Sequence, residues 1–295
     1  MDYLDKYGYA PDREEIGRAI EMIAANMDNI ASEQVYKDCF SMMDLTTLKT
    51  DDTPASVAKL VEKVNAFHKS YPEWPLPASV CVFSNFAATV KEVRKEDFNI
   101  TVVSACFPSS QSFLEVKLKE VEMAVEQGAD EVDIVLALNA FLAGNYEVAA
   151  EEIRQVRRVI DEVAGKQGRN VHLKVILETG LLKTPENIAN ASFLAMEAGA
   201  DFIKTSTGKV DVNATPLAAY VMCECIGIYH KATGKKIGFK PAGGISSAAD
   251  ALCYYSIVSS LLGKDWLNKE LFRFGVSRVA NSLLSAVEQK TVSYF

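Results

Sequence analysis

Two lysines stand at matching places in the chain, each just past a short apolar run. Ala200-Asp201-Phe202-Ile203 ends at Lys204 and leads into Thr205-Ser206-Thr207-Gly208-Lys209, while Ile237-Gly238-Phe239 ends at Lys240 and leads into Pro241-Ala242-Gly243-Gly244. A brief apolar run closing in a small-residue turn reads as a buried strand meeting a loop. Burial disfavours an ammonium, and a second cation nearby disfavours it further. A neutral lysine amine is a carbonyl nucleophile, so the pair points to Schiff-base chemistry.

Other polar residues fall at corresponding places. Asp44, Thr46 and Thr47 follow a first apolar run, Lys174 and Glu178 mark a fifth, and Ser277 and Arg278 follow a last. Asp133 lies within Glu131-Val132-Asp133-Ile134-Val135, where strand alternation turns it away from Val132 and Ile134. An ionised carboxylate pointing inward needs cationic partners, and Lys174, Lys204 and Lys240 are the candidates. Any one strand-end lysine is more often solvated or structurally paired than reactive; two such ends, each running into a glycine loop, shift that weighing. Gly208, the Gly243-Gly244 pair and Gly275 let backbone N–H groups approach an anion closely, and together they favour a phosphorylated substrate.

The elements that must position these residues alternate. Apolar runs near residues 40–44, 79–83, 100–105, 131–136, 171–177, 202–205, 237–240 and 272–276 predict eight strands. Amphipathic stretches at 115–126, 148–163, 186–198 and 216–229 predict helices between them. Thr53-Pro54 and Thr184-Pro185 read as helix starts, and Gly128 and Gly199 as helix ends. Function in such a barrel gathers where strands end. The expected fold is therefore a (β/α)8 TIM barrel over residues 36–295 with a short C-terminal tail, preceded by a helical extension over residues 1–35. A doubly wound sheet is the alternative, but no strand is followed by G-x-G-x-x-G and no P-loop occurs.

Composition narrows the function classes. A net charge of −8 on 295 residues argues against nucleic acid or an anionic membrane as partner, while leaving room for a small anionic substrate. No signal-peptide core or membrane-spanning run is apparent. The six cysteines include no C-x-x-C, and all are expected to be reduced, as in a cytoplasmic protein. Cys81 and Cys106 read as buried strand thiols, and Cys223 and Cys225, two apart on a helix, as facing different sides. His68, His172 and His230 form no H-x-H or H-E-x-x-H, and G-x-S-x-G is missing, so neither a zinc site nor a serine hydrolase is expected.

With these residues in view, the chain resembles the deoxyribose-phosphate aldolases, lysine-dependent class I aldolases. The matching segments, in order between about residues 44 and 284, are Asp44-Leu45-Thr46-Thr47-Leu48, 128–133, 173–180, 199–209 with Val212-Asn213-Ala214-Thr215-Pro216, 238–244 and Arg273-Phe274-Gly275. The resemblance implies a (β/α)8 barrel that reversibly cleaves 2-deoxy-D-ribose 5-phosphate to D-glyceraldehyde 3-phosphate and acetaldehyde in deoxyribonucleoside catabolism, without metal or cofactor. It implies Lys204 as the Schiff-base residue, Lys240 as a neighbour lowering its pKa, and Asp133 as a partner in proton transfer. Gly208, Gly243, Gly244 and Ser277 would bind phosphate, with Thr207 beside them, and Asp44 and Thr46 would hold substrate or a catalytic water. A homodimer or higher homo-oligomer is the expected assembly. Arg278 stands where bacterial relatives often carry a second serine. Some relatives end in a tyrosine proposed to act in proton transfer; here Tyr294 is penultimate, and residues 290–295 are expected to be a disordered terminus. Two other readings are a different lysine-dependent barrel aldolase, such as a transaldolase-like enzyme, and a barrel that binds a sugar phosphate without turnover.

Overall fold

Eight short parallel strands line a closed barrel in a computed structural model that describes residues 3–295. They are β1 (Met43–Thr46), β2 (Ser79–Phe83), β3 (Asn99–Val103), β4 (Glu131–Val135), β5 (His172–Ile176), β6 (Phe202–Lys204), β7 (Gly238–Lys240) and β8 (Phe274–Val276). Hydrogen-bonded neighbours run β7-β6-β5-β4-β3-β2-β1-β8. The bridges Phe239 to Phe272 and Ala242 to Gly275 close β7 onto β8. Closure is tight enough to exclude a side chain at Gly275, where a Cβ would come within 2.7 Å of the Ala242 Cβ.

The strands are buried on both faces. On β4, Val132 and Ile134 turn toward the surrounding helices, while Glu131 and Asp133 turn into the barrel. Helices start where the sequence signals them. The hydroxyls of Thr53 and Thr184 each accept from a backbone N–H three residues on, and Pro follows each cap. Gly128 and Gly199, both at φ 108°, turn the chain from helix into β4 and β6.

Several boundaries differ from the expected ones. Residues 40–41 are not strand: the helix Glu33–Ser41 carries Phe40 inward to stack on Phe67 at 5.0 Å, and β1 begins at Met43. The apolar end of an amphipathic helix and the start of a buried strand look alike in sequence. Cys106 lies beyond β3 in a turn at φ 60° rather than in a strand. Cys223 and Cys225 are both buried, because the helix Pro216–Thr233 packs against helices on several sides. All six thiols are free.

The N-terminal segment is helical and lies outside the barrel, in Tyr3–Tyr7, Arg13–Ala25 and Met27–Ile30. It is fastened to the outer layer. The Tyr7 ring stacks on Phe193 at 4.3 Å and its hydroxyl donates to Glu197, while the Tyr9 hydroxyl donates to Glu224. The other end of the chain is also fastened, contrary to the expected disordered terminus. Asn281 accepts from the backbone of Tyr294 and Phe295, and both rings pack on Phe67. Among the described residues, no helix is long and apolar enough to cross a membrane.

Candidate active site

The barrel interior is charged. Parallel register sets Asp133 beside Lys174 and Lys204 beside Lys240. The Lys204 ammonium position lies 2.8 Å from Asp133 Oδ2, and Lys240 Nζ lies 2.7 Å from the same oxygen. Lys174 donates to Asp133 Oδ1 at 3.2 Å. Lys240 also makes a close ion pair with Asp44. Asp44, Asp133, Lys174 and Lys240 are fully buried, and Lys204 is 4% exposed. Charges so far from water persist only when paired, since an unpartnered buried ion is far costlier than a paired one.

These pairings act differently on the two lysines. Burial lowers the Lys204 pKa, and the Lys240 charge lowers it further against the opposing pull of Asp133. For Lys240 the same burial is outweighed by Asp133 and Asp44, and its proton is held more tightly than in a free lysine. Burial works to raise the Asp133 pKa, but Lys174, Lys204 and Lys240 together hold it well below the usual carboxylate range. The arrangement thus favours a free amine on Lys204 beside an ammonium on Lys240.

Above this floor, a cleft of about 960 Å³ opens at the C-terminal ends of β1, β6, β7 and β8. Of the three interior lysines, only Lys204 lines it. Thr46, Thr207, Gly208, Gly243, Gly244 and Ser277 form part of its wall, as the sequence places them. The Thr207 hydroxyl donates to Glu178 at 2.6 Å, and Glu178 also accepts from the Thr207 N–H. Gly208, Gly243 and Gly244 all have positive φ, between 78° and 80°. At Gly243 a Cβ would also press to 2.7 Å on Asn213, so the loops after β6 and β7 interlock there without a side chain between them. Ser277 and Arg278 are exposed at the mouth.

Asp44 is placed differently from the sequence expectation. It does not line the cleft, and its carboxylate is committed to Lys240, Arg273 and Ser79 below the floor. Asp133 and Lys240 likewise sit beneath the cleft wall. Tyr294 turns away, donating its hydroxyl to the Lys63 carbonyl at 2.8 Å, whereas Phe295 lines the cleft. Sequence reasoning did not pick out Glu131 and Arg273 as members of the interior charge cluster. Glu131 stands two before Asp133, a spacing that puts both on one strand face, and could have been found that way.

Comparison with known proteins fits this geometry. Residues 39–253 match the model of the family described as "DeoC/LacD family aldolase". The chain belongs to that family of aldolases, which makes it a carbon–carbon lyase. It is 42% identical over 261 residues to the deoxyribose-phosphate aldolase of Homo sapiens, covering 85% of this chain and 78% of that protein. Its identity to the Bos taurus deoxyribose-phosphate aldolase is 39% over 259 residues, covering 84% and 78%. Among solved structures, an aldolase named QR15 superposes with a TM-score of 0.67 at 25% identity, covering 85% of this chain and 97% of that one. The barrel also matches a deoxyribose phosphate aldolase from Aeropyrum pernix, described as tetrameric, with a TM-score of 0.67 at 22% identity over 95% of this chain and all of that one. At that identity the match speaks for the fold.

Proposed function

We propose that this aldolase cleaves 2-deoxy-D-ribose 5-phosphate reversibly to D-glyceraldehyde 3-phosphate and acetaldehyde through a Schiff base on Lys204, in the breakdown of deoxyribonucleosides. The observation that carries the reading is that Lys204 alone among the interior lysines reaches the cleft. The names of the similar Homo sapiens and Bos taurus proteins support the substrate.

The free Lys204 amine attacks the substrate aldehyde, and loss of water gives an iminium. Its positive charge accepts the electron pair of the carbon–carbon bond two atoms away. As that bond breaks, the hydroxyl on its far carbon gives its proton to a water and becomes the aldehyde of glyceraldehyde phosphate; the enamine of acetaldehyde left on Lys204 takes a proton at carbon and is hydrolysed to free the lysine. Asp133 Oδ2 lies 2.8 Å from Lys204 Nζ, within reach to hydrogen-bond the amine, to steer its proton toward a water while itself staying ionised, and to stabilise the cationic iminium. Lys240, buried below the cleft, keeps Lys204 neutral by its charge, and a water carries protons between this floor and the substrate carbons. The glycine N–H groups after β6 and β7 and the Ser277 hydroxyl bind the phosphate, and Thr46 and Thr207 hold the sugar hydroxyls. Asp44 acts from beneath by pairing with Lys240. The assembly is a homo-oligomer, and the six free thiols suit a cytoplasmic setting.

Borohydride added with acetaldehyde tests the assignment. It should leave a stable two-carbon adduct on Lys204 in a peptide map. An adduct mainly on Lys174, Lys209 or Lys240 would overturn it. Turnover of deoxyribose 5-phosphate separates this reading from another lysine aldolase and from a barrel that only binds sugar phosphates.

A further inference from the structure

Deeper in the barrel, away from the cleft, Glu131 and Arg273 extend the charge cluster. Arg273 donates to Glu131 Oε1 at 2.6 Å and to Asp44 Oδ1 at 2.6 Å. Glu131 accepts from Lys174 in a close ion pair, and Lys174 donates to Asp133 Oδ1 at 3.2 Å. Asp133 Oδ2 accepts from Lys240 at 2.7 Å, and Lys240 pairs with Asp44. Followed in order, Asp133, Lys174, Glu131, Arg273, Asp44 and Lys240 close on themselves. The six alternate in sign and are all fully buried. Three carboxylates meet three cations, each cation touching at least two carboxylates. Lys204 hangs from this ring by Asp133 alone.

We infer that Glu131 and Arg273, which do not touch the cleft, are positioning residues for Lys204: they complete a self-neutralising ring that leaves Lys204 as the one of the three interior lysines paired to a single carboxylate, already shared with the other two. A proton on Lys204 is an excess charge in a dry compartment, where each unit counts for more than in water. Without Glu131, Lys174 and Arg273 would turn to Asp133 and Asp44, and the interior would hold an unmatched cation. Without Arg273, Asp44 and Glu131 would lose a cation, and a protonated Lys204 would restore the sum. The two partners of one ion pair therefore push Lys204 in opposite directions, which loss of packing cannot do.

The titratable groups bearing directly on Lys204 are Asp133 from β4, Lys240 from β7 and Cys81 from β2. Cys81 is held neutral by its burial. Behind them stand Asp44 on β1, Lys174 on β5, Glu131 on β4 and Arg273 just before β8. Those last four, with Asp133 and Lys240, are the ring.

The inference rests on the reading of Lys204 as the amine that must be free, but its test does not. Trace acetylation with acetic anhydride over a pH series, followed by peptide mapping, gives the titration midpoint of Lys204 without any turnover. Glu131→Gln should move that midpoint down by about one pH unit, a roughly tenfold rise in free amine where the amine is mostly protonated. Arg273→Met should move it up by a similar amount. The double variant, with both charges removed, should return it close to that of the unaltered chain. Shifts of the same sign in the two single variants, or none in folded protein, would overturn the ring. If a single variant does not fold, carboxyl ¹³C spectra of the unaltered chain decide: Asp44, Glu131 and Asp133 should all stay ionised where Lys204 titrates. A carboxyl that titrates in that interval would overturn the inference. Opposed shifts with borohydride trapping at another lysine would leave the ring standing and remove the Schiff-base assignment instead.

Discussion

The barrel interior and the cleft mouth hold similar residue types under opposite conditions. Lys240 and Lys174 are fully buried and paired with carboxylates from other strands of the barrel, whereas Arg278 and Lys209 are exposed at the rim. Inside, each charge is fixed by its partners and felt strongly. At the rim, water and salt weaken every charge, and backbone N–H groups of glycine loops are the better-placed donors. On the proposed reading, the difference means that the protonation state of Lys204 is set in the dry compartment, while recognition of the phosphate is left to the wet one. Lys204 belongs to both.

Removing the shared residue should have the largest effect. Lys204→Leu is expected to abolish both adduct trapping and turnover at every pH, because the lysines left at the cleft, among them Lys49, Lys63 and Lys209, are not buried in the barrel interior beside Asp133 and Lys240. Measurable trapping in this variant would assign the chemistry to another lysine.

Asp133→Asn tests the dry side alone. It leaves Lys174, Lys204 and Lys240 without the negative charge they share, and should cost about 3–5 kcal/mol in a urea melt. Turnover should fall ~100-fold or more through loss of the proton partner. Full activity in a destabilised protein would confine Asp133 to a structural role.

Acid stability should also report on the interior. Glu131 is held at a pKa of about 2 by Lys174 and Arg273, against the opposing effect of burial. A carboxyl lowered in the folded state stabilises the fold above its unfolded pKa of about 4.3, and the contribution is lost as pH falls through the folded value. Thermal melts should therefore show stability declining from about pH 4.5 toward pH 2. In Glu131→Gln that decline should be shallower, and an unchanged slope would mean that Glu131 is not ionised in the folded barrel.

Lys240→Leu sharpens the comparison further. Removing this charge while keeping bulk should let Asp133 favour a protonated Lys204, so the pH–rate profile of imine formation moves to more alkaline pH by about one unit, and high pH partly restores the rate. A profile of the same position and lower height would make Lys240 a proton carrier instead.

At the rim the expected effects are smaller and selective. Ser277→Asp places like charge beside the bound phosphate, costing ~1–4 kcal/mol at about 4 Å for effective dielectric constants of ~80 to ~20. Gly244→Ala strains a residue at φ 78° in open space, with no atom within 4 Å of the added methyl. Both should raise KM for deoxyribose 5-phosphate far more than for deoxyribose. Equal losses on the two sugars would show that phosphate is bound elsewhere.

Much of this was legible in the chain. The strand-ending lysines, the glycine loops beyond them and the alternation that turns Asp133 inward are local patterns, and the strand over residues 79–83 falls where its apolar run predicts. Helix starts at Thr53 and Thr184 are equally local, since a hydroxyl and a proline within a few residues suffice to make them. Those features were decided by sequence alone because each depends on neighbours a few positions away.

What needed the tertiary structure was which charge meets which. Lys240 and Asp133 are 107 positions apart, and Arg273 and Asp44 are 229 apart. Pairing of β8 with β1 brings Arg273 to Asp44, and closure of β7 onto β8 completes the barrel across which Lys240 reaches Asp133. The same closure sinks Asp44 beneath the cleft, leaves Lys204 as the interior lysine that reaches it, and brings Phe295 to its wall. Residue type limits what each side chain can do, and burial among distant partners decides which of those things it does, because the free energy of a charge depends on the groups that replace its water.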